Sequence, residues 1–485
     1  QTLIDHRAQI ELSKRLVQLD CGMDLGYDLD TLEVRDPDPE ALIGFLTGME
    51  FRTIVRRVSE ELGVAAPAIP ETAPAAEAET AEQPPFPEDY TWIRTEAELA
   101  DWIARATAQG YVALDTETTA LNEMRALLVG VSLALEPGVA CYIPLAHKQN
   151  PEADLFASDA LAEGQVPFDA ALALLKPLLE DASVLKILQN AKYDTKILAR
   201  LGIDVAPIDD TMLLSYALHA GLHGHGMDTL SERYLGHNPI PIKELIGSGK
   251  AQVTFDKVDC AKAVRYAAED ADITLRLHDL FKPQLHRHSV TTVYETLERP
   301  LIPVLARMEM AGIQVDRDTL SRMSGAFAQK MAGLEDEIHA LAGDRFNVGS
   351  PAQVGEILFD RLGLPGGKKG KTGKYATPAD VLEDLATEHD LPGRILDWRQ
   401  VSKLKSTYTD ALQDHIDRAT GRVHTSYSIA GANTGRLAST DPNLQNIPVR
   451  TEEGRRIREA FVAPKGRVLV SLDYSQIELR ILAHI

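Results

Sequence analysis

The stretch VAAPAIPETAPAAEAETAEQPPFPE at residues 64–88 constrains this chain more than any other feature. It holds six prolines, eight alanines and five glutamates, with no lysine or arginine. Such a segment buries too little apolar surface to offset the entropy of ordering it, and its charges are all of one sign. Residues 63–89 therefore read as a disordered linker, and no single core can run through them. At roughly 100–200 residues per domain, the 485-residue chain divides into two to four domains around that break.

The 44% hydrophobic and 25% charged content is that of ordinary globular domains. No run approaches the roughly 18 apolar residues needed to cross a bilayer, and no signal-peptide pattern opens the chain, so no membrane partner is expected. Cys21, Cys141 and Cys260 lie far apart without CxxC spacing. A disulfide framework and a thiolate zinc site are both disfavoured, and a reducing cytoplasm is the expected compartment. The net charge of −22, taken whole, argues against nucleic acid. That charge is uneven, however. Residues 1–90 carry 7 basic against 19 acidic side chains, residues 91–300 carry 19 against 29, and residues 301–485 carry 24 of each. The average therefore does not exclude a DNA-binding C-terminal part. The chain opens on Gln1 and stops at Ile485 inside a helical pattern, so it is expected to be a piece of a longer protein, truncated at both ends.

Residues 1–62 contain short amphipathic patches at 8–19 and 39–49. From residue 90 the pattern alternates. YVALD at 111–115, LLVGVSLAL at 127–135 and residues 139–144 and 184–188 read as strands, whereas 168–179, 193–201 and 260–281 have helical periodicity. Strands mixed with helices over 90–290 predict an α/β domain. Residues 295–420 are mainly helical, interrupted by the loop PGGKKGKTGKYA at 365–376. After residue 421 the pattern turns to strand and turn, with RVLVSL at 467–472 as a strand leading into Asp473 and a helix.

Asp115 and Glu117 end the YVALD strand, and residues two apart on a strand point to one face. Alone, such a pair is an ordinary solvated strand end. Asn190 is a candidate N-cap that places Asp194 about one turn into the next helix. Tyr266 and Asp270 are four apart on a later helix and share a face. Four carboxylates from three distant segments would repel one another unless cations were bound. Hard divalent ions take oxygen ligands, and two of them about 3.5–4 Å apart can activate water and stabilise a leaving oxygen of a phosphodiester.

Residues 90–290, with this order of carboxylates and phenol, resemble the proofreading 3′–5′ exonuclease domain found beside family A DNA polymerases. The resemblance implies a ribonuclease H-like fold and two divalent metal ions, Mg²⁺ or Mn²⁺, held by Asp115, Glu117, Asp194 and Asp270. It also implies that Tyr266 positions the water, that Leu121 wedges against the last bases, and that Gln189 and Asn190 contact the terminal nucleotides.

The run TGRLASTDPNLQNIP at 434–448 is a turn-rich segment of polar donors suited to phosphates, sugars or minor-groove acceptors. Followed by SLDYSQIELR at 471–480, it resembles the signature of family A DNA polymerases in bacteria. The implied class is α/β and α+β multidomain: the exonuclease domain at 90–290, then an incomplete polymerase domain at 291–485 holding the thumb and first palm strands. Residues 1–62 resemble, less specifically, the C-terminal remnant of a 5′-nuclease domain. Carried over by position, Asp473 is the first catalytic aspartate and a Mg²⁺ ligand of the full-length parent. Glu478 discriminates against a 2′-hydroxyl, Arg436 contacts the primer end, and Gln445 and Asn446 contact the minor groove. Lys403 and Lys405, with the Lys/Gly loop, grip the duplex backbone.

The expected partners are single-stranded or frayed 3′ ends and primer-template DNA, with deoxynucleoside triphosphates for the parent, and a monomer is expected in the bacterial cytoplasm at the nucleoid. The helix that holds the triphosphate and the second catalytic carboxylate follow the Asp473 motif in the family. This chain is therefore expected to hydrolyse 3′ ends without polymerising, and to leave an exposed palm edge. Two alternatives stay open: a stand-alone exoribonuclease, and a catalytically silent DNA-binding fragment.

Overall fold

The computed structural model describes residues 6–19, 36–49, 51–64, 83–87, 89–149, 160–370, 373–449 and 451–485, with Gly22 and Gly26. The chain forms two compact units, Gln1–Ala78 and Glu79–Ile485. In the first, α1 (Arg7–Leu16) buries none of its side chains, while α2 (Pro39–Gly48) and α3 (Arg52–Leu62) form a helical pair. Asp38 caps α2 by accepting from the Glu40 and Ala41 amides, and Ile43, Leu46 and Val55 make the small core.

The second unit opens on β1 (Thr91–Trp92) and α4 (Glu96–Gln109), which a Thr95–Glu98 capping box starts. Then follow β2 (Tyr111–Thr118), β3 (Leu128–Glu136), β4 (Val139–Pro144), α5 (Phe168–Glu180), β5 (Leu185–Leu188), α6 (Ala191–Arg200), β6 (Ile208–Asp210), α7 (Thr211–His219) and α8 (Cys260–Phe281). The strands form one six-stranded mixed sheet in the order β1-β4-β3-β2-β5-β6. β3 pairs antiparallel with β2 and β4, whereas β5 lies parallel to β2 and β6.

Period-two alternation sorts the sheet's side chains. Val112 and Leu114 of β2 join a core with Leu99, Trp102 and Ala106 of α4 and Leu175 and Leu178 of α5. Ala113 faces the other way, into a core with Ala263, Ala267 and Ala271 of α8. Alanines on both partners let α8 lie close against β2, β3 and β5, and Asp115 and Glu117 continue along that same face. A close approach of another kind occurs at Gly130 of β3, opposite Glu117, where a β-carbon would overlap the Tyr142 hydroxyl.

The rest of the unit is mainly helical. Its elements include α9 (Arg299–Ala311), β7 (Ile313–Gln314), α10 (Arg317–Ala342), β8 (Lys368–Lys369), β9 (Tyr375–Ala376), α11 (Asp390–Leu404), β10 (Arg422–Val423), β11 (Ser426–Ser428), β12 (Ala438–Thr440), α12 (Glu452–Arg458) and α13 (Ile477–His484). α10 and α11 pack through Leu320, Phe327, Leu334, Val401 and Leu404.

Three expectations change. The 365–376 loop contains the antiparallel pair β8–β9. Residues 467–472 form no strand. Among the described residues they meet no pairing partner, so their amides and carbonyls are unpaired in any ladder, and Val468, Leu469, Val470 and Leu472 stay exposed. The expected linker lies from residue 65 to 82 outside the described residues, but its last part is held in place. Pro84 O accepts from Arg276 Nη1 at 2.5 Å, Phe86 stacks on His237 at 3.8 Å, and the Arg276 guanidinium lies 4.0 Å over Phe86.

Arg276 makes that attachment while paired twice with Asp272 on α8, Nε to Oδ1 at 2.8 Å and Nη2 to Oδ2 at 3.2 Å, with the Asp272 side chain fully buried. Arg276→Met leaves a buried carboxylate with only the Tyr90 hydroxyl and the Gly138 amide as donors. The expected loss is about 3–5 kcal/mol, read as a lower urea midpoint by circular dichroism.

Candidate active site

Asp115 and Glu117 leave β2 on the face that α8 covers, and β2 slips register against β3 between Glu117 and Thr118. From α8, Asp270 meets them: one carboxylate oxygen from each of Asp115, Glu117 and Asp270 lies within 4.8 Å of the others. Asp194 comes from α6 and is 3% exposed. It accepts from the Thr116 amide at 3.1 Å and the Thr116 hydroxyl at 2.5 Å, so the residue between the strand carboxylates anchors the fourth one.

Asn190 occupies the cap position of α6, in a left-handed conformation with φ +59°, but its side chain does not cap. Asp210 does so instead, accepting from the Asn190 and Ala191 amides at 3.1 and 2.9 Å and from Met212 N at 2.9 Å, and burial pushes its carboxyl up to about 6. The helix start is thus held by the end of the neighbouring strand β6.

Burial and mutual repulsion dominate the electrostatics of the cluster. Burial raises Asp115 well above the ordinary carboxylate range, and Asp270 adds to it. Glu117 is raised by burial and then by Asp115, Asp270 and Asp194. Asp194 is raised by burial and Asp115, and Asp270 by burial and Glu269. The Tyr266 phenol is raised by burial, Asp270 and Glu117, so it is neutral at neutral pH. Glu117 Oε1 is buried without a hydrogen-bond partner. An orphaned carboxylate oxygen beside two other carboxylates is an all-oxygen donor set that fits a hard divalent cation.

These residues line a cleft of about 770 Å³ with Leu121, Gln189, Asn190 and Tyr193. Leu121 projects at the rim, 91% exposed. Gln189 is less available than expected: its amide donates to His225 O at 2.9 Å, and its oxygen accepts from the Thr211 hydroxyl. Tyr193 holds the rim by donating to Ala120 O at 2.7 Å and meeting the Thr118 hydroxyl at 2.5 Å. Sequence reasoning missed Thr116 and Tyr193, although each adjoins a recognised carboxylate. It also missed Ile242, Ile246, Val253 and Phe255, which wall the cleft from a segment without periodic pattern.

The C-terminal candidates do not converge in this way. Asp473 is exposed and, among the described residues, joins no group of metal-ligating side chains. Glu478, in the first turn of α13, has Oε1 3.8 Å from Nη2 of Arg436, and both side chains are exposed. Lys403 and Asn446 line a second cleft of about 780 Å³ between α11 and residues 441–448. Two candidates are engaged elsewhere. Lys405 pairs with Asp410 at 2.6 Å, and Gln445 accepts from Ser439 N at 2.9 Å while donating to Leu437 O at 3.0 Å. Their partners lie within eight residues along the chain.

No described helix is long and apolar enough to cross a membrane. The family model described as 3′–5′ exonuclease matches residues 90–286, and the model of DNA polymerase family A matches residues 317–485. Over its whole length the chain is 50% identical to DNA polymerase I of Rhizobium leguminosarum, covering 54% of that protein. It is 44% identical to DNA polymerase I of Pseudomonas aeruginosa, covering 51%. The chain thus spans about half the length of the curated relatives it matches. Among solved structures it is similar to the polymerase domain of Pol1 from M. smegmatis in complex with DNA primer-template and dNTP, with a TM-score of 0.63 and 32% identity over 80% of this chain and 61% of that one. Residues 317–485 thus belong to DNA polymerase family A and residues 90–286 to a 3′–5′ exonuclease family, and along its whole length the chain is similar to bacterial DNA polymerase I.

Proposed function

We propose that this chain hydrolyses the 3′ ends of DNA in a two-metal-ion site, as the proofreading part of a template-directed DNA polymerase. The observation that carries the proposal is the meeting of Asp115, Glu117 and Asp270 within 4.8 Å, with an orphaned Glu117 oxygen, inside a matched exonuclease domain. Asp115, Glu117, Asp194 and Asp270 would hold two Mg²⁺ or Mn²⁺ ions. Bound there, the ions supply a nucleophilic water at neutral pH and charge stabilisation for the leaving 3′ oxygen. Tyr266, kept neutral, orients that water by hydrogen bonding. Water oxygen bonds to phosphorus as the P–O3′ bond breaks, releasing a nucleoside 5′-monophosphate and a new 3′-hydroxyl. Leu121 at the rim is suited to wedge between terminal bases, and Asn190 to contact the last nucleotides.

The boundaries 90–290 and 291–485 belong to this reading, as do the linker at 63–89 and residues 1–62 as a 5′-nuclease remnant. The two family matches fall inside the first pair. Arg436, Asn446 and Lys403 are assigned to primer and duplex contacts, with Asp473 and Glu478 as metal ligand and sugar gate of the whole protein, which would take deoxynucleoside triphosphates. Every exonuclease ligand comes from one chain, which supports a monomer. Its place would be the bacterial cytoplasm, at the nucleoid.

A 5′-labelled single-stranded DNA oligonucleotide with Mg²⁺ tests the reading. The chain is expected to shorten it, and Asp115→Ala with Glu117→Ala to slow this at least about a thousandfold, a loss of roughly 4 kcal/mol of transition-state stabilisation. Faster cleavage of the RNA counterpart would favour the exoribonuclease reading. Nucleotide incorporation in a primer-extension assay would show that the chain's role is not limited to hydrolysis.

The carboxyl shifts predict a second outcome. Groups raised in the folded state hold protons that the unfolded chain has released, so stability falls as pH rises above about 4 toward the raised folded values. Without divalent ions at pH 7.5, Asp115→Asn should therefore melt roughly 2–4 °C above the parent protein. Mg²⁺ should raise the parent's melting temperature and close that gap. Differential scanning calorimetry with and without EDTA reads both.

A further inference from the structure

Between the two family matches, residues 287–316 are matched by neither. Within them α9 carries Glu309, a carboxylate 3% exposed that reaches across to the exonuclease helix α6. Glu309 Oε1 accepts from Lys192 Nζ and from the Tyr427 amide at 2.6 Å, and Oε2 accepts from Lys196 Nζ at 2.5 Å. Lys192 also donates to Tyr427 O at 2.5 Å, and Lys196 pairs with Glu123 at 2.7 Å. The two lysines are four apart and share one face of α6. Asp194 lies between them in sequence and points to Thr116 on β2. The helix is therefore held on one side by Thr116 and on the other by Glu309.

We propose that Glu309 is a positioning residue for the exonuclease site, supplied from outside the exonuclease domain, which sets the placement of Asp194 by clamping α6 through Lys192 and Lys196. The inference rests on the exonuclease reading above. Its physical basis is the burial of both ammonium groups, whose side chains are 9% and 3% exposed. Without Glu309, Lys192 keeps only the Tyr427 carbonyl and the Ser426 hydroxyl and Lys196 keeps Glu123, so the two largely buried ammonium groups lose the one carboxylate that ties them together and α6 is released from α9. A ten-residue helix moves largely as one body, so Asp194 shifts with the lysines. The same carboxylate bonds Tyr427 of β11. β11 pairs with β12, and Arg436 lies in the loop between these strands. Tyr216 of α7 holds that loop from the exonuclease side, donating to Ala432 O at 2.6 Å and accepting from Gly435 N at 3.0 Å. One buried ion cluster thus places both the metal-ligand helix and the hairpin assigned to the primer.

The test uses Glu309→Ala and Glu309→Gln in the full chain, with Mn²⁺ binding followed by electron paramagnetic resonance and hydrolysis followed on labelled single-stranded DNA. Glu309→Ala should weaken Mn²⁺ binding at least about tenfold and lower kcat by a similar factor, with KM for DNA within about twofold. Glu309→Gln keeps an acceptor for the Tyr427 amide, and should fall between the alanine variant and the parent. It carries the test if the alanine variant does not fold. Unchanged Mn²⁺ affinity in the folded variants, even with a lower melting temperature, overturns the assignment. If the parent binds Mn²⁺ but hydrolyses nothing, the exonuclease reading fails, while Mn²⁺ affinity still decides the role of Glu309. A parent that binds no Mn²⁺ overturns both.

Discussion

Repulsion among carboxylates gathered in one cleft is the constraint around which the larger unit is organised. Burial raises the proton affinity of Asp115, Glu117, Asp194 and Asp270, and neighbouring carboxylates add to it: Asp270 on Asp115, Asp115 on Glu117 and Asp194, and Glu269 on Asp270. Such a cluster does not form by side-chain preference. It exists because backbone elements with strong reasons of their own to pack bring the carboxylates together. Alanines on α8 and on the sheet let the helix lie close to β2, and that contact carries Asp270 toward Asp115 and Glu117. The Thr116 hydroxyl and amide hold Asp194 from the opposite side.

The helices that bring acidic groups to the site are secured elsewhere along their length by charge pairs of opposite sign. On α8, Asp272 and Arg276 pair beyond Asp270 and bind the incoming chain at Pro84. Further along, His278 and Lys282 reach the buried Asp209 of β6, which also meets the Tyr294 hydroxyl and Arg299. Against the burial that would raise it, His278 and Lys282 hold the Asp209 carboxyl well below the usual range. On α6, Lys192 and Lys196 share Glu309. Buried pairs of this kind add little net stability compared with apolar packing, but losing one partner is costly, so they fix position. In this chain they fix the helices whose carboxylates have no such partners.

Much of this is legible in the sequence alone. The strands expected at 111–115, 127–135 and 139–144 and the helix at 260–281 follow from short-range periodicity and form with small shifts, the first running on to Thr118, and Asp115 with Glu117 is a pair that alternation puts on one face. What escaped were features that depend on a distant partner. Asn190 looks like a side-chain cap, but Asp210, twenty residues on, supplies the bonds. Gln189 and Gln445 read as free donors until Thr211, His225, Ser439 and Leu437 are seen to occupy them. RVLVSL has the composition of a strand, but strand formation needs a paired neighbour, and none of the described residues provides one.

By itself the sequence determined the break at the Pro/Ala/Glu segment, the alternation of strand and helix after it, and the four carboxylates with a phenol that mark the exonuclease family. These are properties of residue type and near-neighbour spacing, which act over one or two turns of chain. Only the tertiary structure decided which oxygens meet within ligand distance, which polar side chains are already engaged, and that a carboxylate from α9 holds the helix of Asp194. Those outcomes depend on contacts between residues roughly a hundred positions apart, such as Glu309 with Lys192 and Lys196. Burial and charge are properties of the assembled surroundings, and no local pattern encodes what those surroundings will be.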